Sequence, residues 1–181
     1  MEPTPGIRPR PSLWRRLDGA ARQSFPAATA AFGLIVVAGP LGLPGQAALG
    51  PAFALASVFF WSLYRPASMG PLVVFLLGLL GDILGQTPPG VLVLVLLLTH
   101  GVAVRWRRVL VRLGFLLVWF AFGALAAGVT VLFWLLCSAL ALRPMPLPAT
   151  LLQFGLTVGL YPVLALLFIR AHRGVAAPER A

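Results

Sequence analysis

Acidic side chains are almost missing from this chain. Of its 181 residues only four are Asp or Glu. Glu2, Asp18 and Glu179 lie near the termini, which leaves Asp82 as the only carboxylate between Asp18 and Glu179. Lysine is absent, and all fourteen basic residues are arginine. There are two histidines and one cysteine. These shortages exclude much chemistry. No acidic cluster can hold a metal, no Ser/His/Asp set lies at a common depth, and no Cys/His pair exists, so neither catalysis nor a metal or cofactor is expected. Phosphotransferases acting on membrane lipids generally need several carboxylates, and one is present. The lone Cys137 cannot form an internal disulfide and reveals no compartment.

What the chain has in excess is apolar surface. It is 60% hydrophobic and 10% charged, with a mean hydropathy of +0.96, far from the composition of a soluble domain. The apolar residues form long uncharged runs, which predicts a polytopic all-α membrane protein. Barrel strands alternate apolar with polar residues, whereas VLVLVLLL at 91–98 is apolar throughout. The formal charge of +10 would suggest nucleic acid in a soluble protein. Here the arginines sit at the ends of apolar runs, which points to topology and to anionic lipids, with no nucleic acid as a partner.

Six transmembrane spans are expected: Phe25 to about Pro44, Ala47–Tyr64, Met69–Gly85, Gly90–Val104, Leu113–Leu142 and Ala149–Ile169. The fifth is an uncharged run of 30 residues. Straight, it would be about 45 Å long against about 30 Å of hydrocarbon, so tilt, emergence, or a break near Gly123 or Gly128 is expected. The arginines fix the orientation. With six spans and both termini in the cytoplasm, the N-terminal group (Arg8, Arg10, Arg15, Arg16, Arg22), Arg65, the group Arg105, Arg107, Arg108, Arg112, and the C-terminal Arg170, Arg173 and Arg180 all fall inside. Arg143 alone falls outside, as the positive-inside rule requires. A cleaved signal peptide is the rival reading of the first span, but that run is long and holds Pro40 and Pro44. The organisation is thus a basic cytoplasmic tail over 1–24, disordered or on the lipid surface, a transmembrane domain over 25–170, and a short cytoplasmic tail over 171–181.

Asp82 lies in GLLGDILG. A carboxylate within the membrane costs about 2.5–3.5 kcal/mol on insertion scales and is normally turned inward. At about 100° per residue, Gly78, Gly81 and Gly85 share one helix face with Asp82, and small residues let helices approach closely. The structural reading is a tight helix seam; the functional one is a proton or ligand site. His100 should differ in depth from Asp82 by roughly 12 Å, so Arg143 is the expected partner, and His100 the expected holder of a hydrogen bond at the interface. In the sixth span Gly155 and Gly159 form a GxxxG packing surface. Pro162 then removes the donor to the carbonyl of Val158 and usually kinks the helix. Trp61, Tyr64 and Trp106, with Arg65, Arg105, Arg107 and Arg108, read as interfacial anchors.

The order FFWSLYRP, GLLGDILG, a turn to PPG, a basic cluster, then Arg143-Pro144 and Tyr161-Pro162 resembles the rod shape-determining protein MreD family over residues 27–173, most specifically over 59–108. One departure is Gly50-Pro51, where family members often have Arg-Pro. The resemblance implies a helix arrangement like that of the substrate-binding component of vitamin importers. It implies no enzymatic activity, a place in the bacterial inner membrane, and a scaffolding role in lateral peptidoglycan synthesis with MreC, MreB, RodA and a class B transpeptidase. The alternative is a small transporter or solute-binding subunit with Asp82 as its proton or ligand site.

Overall fold

The computed structural model describes residues 13–40, 42, 45–85, 88–144 and 146–176, with side chains over 23–170 of these. Among the described residues six helices follow one another: α1 Leu13–Ala38, α2 Gln46–Tyr64, α3 Pro71–Leu84, α4 Val91–Leu110, α5 Phe115–Leu140 and α6 Leu147–Ala176. Their boundaries follow local chemistry. Pro71 opens α3 at a position where its missing N–H is no loss. Gly45 and Gly90, both with positive φ, precede α2 and α4.

α2 is the core. It is apolar on every side, and all twelve residues from Ala52 to Leu63 are buried, as such a helix must be. It packs against α6, α4, α1 and α3. An aromatic cluster joins it to α5 and α6: Phe59 lies 4.9 Å from Phe122 and 5.7 Å from Tyr161, Tyr161 stacks on Phe122 at 4.4 Å, and Phe168 lies 5.0 Å from Trp61.

Helix direction follows from which residues meet. Phe25 meets Trp61 and Gln46 reaches Val37 and Gly39, so α1 and α2 are antiparallel. Trp119 pairs with Val158, and Trp134 shares a groove with Leu147, so α5 and α6 are antiparallel. Leu55 and Leu92 line one small pocket and Ser62 bonds His100, so α2 and α4 run parallel. The helices therefore alternate in direction. One end of the bundle carries Arg65, Arg105, Arg107, Arg108, Arg112 and Arg170. The other carries Gly45, Asp82, Gly90 and Arg143.

Among the described residues three helices are long and apolar enough to cross a membrane: Gln46–Tyr64, Phe115–Leu140 and Leu147–Arg170. Gln23–Ala38 and Pro71–Leu84 are shorter apolar helices.

Several expectations are corrected. α1 begins at Leu13, so residues 13–24 of the basic tail have helical backbone and are not disordered; residues 1–12 lie outside the described residues. α5 is one unbroken helix through Gly123 and Gly128, where a Cβ would meet nothing within 4 Å. At 26 residues it is about 39 Å long, which leaves tilt or emergence. α6 runs as one helix from Leu147 to Ala176, with Pro162 inside it. Trp61 is no interfacial anchor: it is 1% exposed, enclosed by Phe25, Phe60 and Phe168. Tyr64 and Trp106 are exposed, at 43% and 58%.

Candidate functional site

The α3–α4 hairpin contains the residue singled out by its charge. α3 turns Gly78, Gly81 and Asp82 toward α4, all three buried. The fit is close because the glycines have no side chain. A Cβ on Gly78 would lie 2.6 Å from the Cα of Val93, and one on Gly81 2.5 Å from Cδ2 of Leu92. Gly85, the third glycine of the set, is exposed at the end of α3 and bonds back to Gly81 O at 2.8 Å.

This approach carries the Asp82 carboxylate to the start of α4. The Gly90 N–H donates to Oδ2 at 2.7 Å and the Leu92 N–H to Oδ1 at 3.2 Å. The first amides of a helix have no intrahelical acceptor, and the helix dipole favours negative charge there. Gly90 itself provides no side-chain cap. Asp82 thus caps α4 from the neighbouring helix. Both of its oxygens are used on backbone amides, the role assigned in the sequence to Arg143. Arg143 is exposed on the α5–α6 loop, its own N–H turned back to Ser138 O at 3.2 Å.

The arginine end has a matching device. Arg107 Nε donates to Leu63 O at 2.7 Å, in the last turn of α2, where carbonyls are left over and positive charge is favoured. Gln46 does the same for α1, donating to Val37 O and Gly39 O. Between the ends, His100 Nδ1 and Ser62 Oγ are 2.8 Å apart and buried, which supplies the hydrogen bond expected of His100. The carbonyl of Val158, freed by Pro162, accepts from Trp119 Nε1 at 3.0 Å. Two polar atoms are different. Ser57 Oγ and Trp61 Nε1, one turn apart on α2, are buried with no hydrogen-bond partner among the described residues.

Not every glycine set is used inside the chain. Gly155 and Gly159 are both exposed, and a Cβ on either would meet nothing within 4 Å. Pro162, on the same helix, is half-buried. An apolar groove of about 380 Å³ lies between α5 and α6, lined by Ala127, Val131, Trp134, Leu151 and Phe154 among others. A second cleft of about 290 Å³ opens at the Asp82 end, lined by Gln46, Gly50, Pro51, Gly81, Leu84 and Gly85 among others. Asp82 faces α4 instead.

Sequence reasoning placed Asp82, Gly78 and Gly81 on one face and named the carbonyl of Val158. It missed the acceptor role of Asp82 toward α4, Gln46 as a cap, and Trp119. The signal for the first was available: a glycine with no capping side chain opens α4 shortly after the hairpin turn. Comparison with protein-family models, curated proteins and solved structures returned no match. The class the fold defines is an all-helical chain with three helices of membrane-crossing length and composition.

Proposed function

We propose that the chain is a non-enzymatic, multi-pass subunit of the bacterial cell-elongation complex, with six spans and both termini in the cytoplasm. It scaffolds partner membrane proteins during lateral peptidoglycan synthesis and so supports rod cell shape. MreC is the first partner, with MreB, RodA and a class B transpeptidase in the same assembly and anionic lipids around it. The reading starts from the resemblance to the MreD family and to the helix arrangement of vitamin-importer substrate-binding components. It gains support from the meeting of two of the motifs that carry that resemblance: Phe59 of FFWSLYRP packs on Tyr161 of Tyr161-Pro162.

The observation that carries it is the contrast between the two glycine sets. Gly78 and Gly81 are filled by α4, whereas Gly155 and Gly159 face outward on α6. In lipid, such a small-residue stripe is where another helix packs. The test is copurification from native membranes of the wild-type chain and of Gly155→Leu/Gly159→Leu. The wild type should bring down a membrane partner, and the variant should remain folded and lose it. A chain that comes out alone and binds a small molecule tightly would end the scaffold reading.

The cleft beside Gly81 and Gly85 favours the second reading, a solute-binding or transport subunit. That reading takes Asp82, behind the cleft wall, as its proton or ligand site, and uptake of a substrate should collapse in Asp82→Asn.

A further inference from the structure

The α3–α4 hairpin is short for a membrane. α3 has 14 residues, a height of about 21 Å at 1.5 Å per residue. α4 has the same apolar height: fourteen residues, Val91 to Val104, precede Arg105. α5, at 26 residues, is nearly twice as tall. A hydrocarbon layer of about 30 Å therefore cannot be matched along the hairpin, and the bilayer there must thin or the flanking arginines must reach for it.

The outward face of α4 is built for that. Leu94, Leu98, Gly101, Arg105 and Arg108 are all exposed and fall within about 80° of one another around the helix. The stripe changes from leucine to arginine at Arg105. Trp106 stands beside it, 58% exposed. Arg112 continues the basic end just past the helix, also exposed. Arg107, by contrast, turns inward to Leu63 O. Among residues 23–170, whose side chains are described, the one carboxylate is Asp82, at the other end; Asp18, in the first turns of α1, belongs to the arginine end. An anionic group outside the chain would complement this exposed basic face.

We propose that this face is a docking surface for an anionic phospholipid. The phosphate-bearing headgroup would sit on Arg105, Arg108 and Arg112, and the acyl chains along Leu98 and Leu94 with Gly101 as the notch. The proposal rests on the membrane reading and names a ligand for a surface that the scaffold role does not use. A zwitterionic lipid would leave the arginines unneutralised at a depth where water is scarce, so an anionic headgroup is selected.

Trp106 reports on the site. The full chain is reconstituted in vesicles of mixed phosphatidylglycerol and phosphatidylcholine, with bromine on the chains of one lipid at a time. The emission of Trp106 is taken as the difference between wild type and Trp106→Phe. Brominated phosphatidylglycerol should occupy the site with a preference of about fivefold or more over brominated phosphatidylcholine. Arg105→Gln/Arg108→Gln should remove the preference. Arg105→Lys/Arg108→Lys, which guards against misfolding, should keep it. Inorganic phosphate in the buffer should not compete, since the lipid and not the free ion is the ligand. Equal quenching by the two lipids in an inserted chain, or a preference that survives the Gln pair, would overturn the site. A chain that washes off vesicles in alkaline carbonate would instead overturn the membrane reading beneath it.

Discussion

Asp82 and Gly90 stand eight residues apart in sequence and 2.7 Å apart as acceptor and donor. The contact makes one carboxylate serve two helices: it belongs to α3 and completes the first turn of α4. Irregular backbone at membrane depth is tolerated only where its polar groups are satisfied within the protein, and this bond satisfies part of the hairpin turn.

Removing that acceptor should therefore cost more than an exposed cap does. In Asp82→Ala two amides lose their partner, and we expect a loss of about 2–3 kcal/mol in stability. Asp82→Asn keeps one acceptor oxygen and should lose less. Thermal unfolding in detergent, followed by circular dichroism, ranks the three proteins. Equal transitions for wild type and Asp82→Ala would show that the amides find other acceptors.

Two glycine-to-alanine changes should behave oppositely. The added methyl of Gly78→Ala meets the Val93 backbone at 2.6 Å, where no side chain can rotate away. A loss of about 1–3 kcal/mol is expected from overpacking. Gly155→Ala adds a methyl into open space and should gain about 0.5–1 kcal/mol from helix propensity. The same unfolding measurement on both separates internal packing from outward surface.

Trp119 and Pro162 should be coupled. Trp119→Phe strips the donor from Val158 O and should cost about 1 kcal/mol. Pro162→Ala supplies a helical N–H to the same carbonyl. In that background Trp119→Phe should cost clearly less. A double-mutant cycle measures the difference, and additivity would mean that the indole contributes only by packing.

Ser57 invites the reverse experiment. Its hydroxyl is buried without a partner among the described residues, so Ser57→Ala should be neutral or stabilising by up to about 1 kcal/mol. A lower transition temperature for Ser57→Ala would reveal a bond to a water molecule.

The helices were legible in the sequence because apolar runs and proline or glycine breaks state them directly. The face shared by Gly78, Gly81 and Asp82 followed from helical period alone, and the freed carbonyl of Val158 from the chemistry of Pro162. Three features were hidden for physical reasons. Trp61 looks like an interface residue by type and position in its run, but α1 and α6 close over it, and a burial decided by helices far apart in sequence leaves no local mark. The caps supplied by Asp82, Arg107 and Gln46 cross between helices, so no spacing within one helix announces them. Gly155 and Gly159 read as a packing surface in either case; which partner they face depends on how the bundle closes.

The burial of α2 has a consequence for how the chain assembles. Its most extensive neighbour is α6, which begins 83 residues after Tyr64. Contacts of that sequence separation carry a larger loop-closure cost than local ones. Closing the core around Phe59 and Tyr161 therefore costs more loop-closure entropy than closing the α3–α4 hairpin.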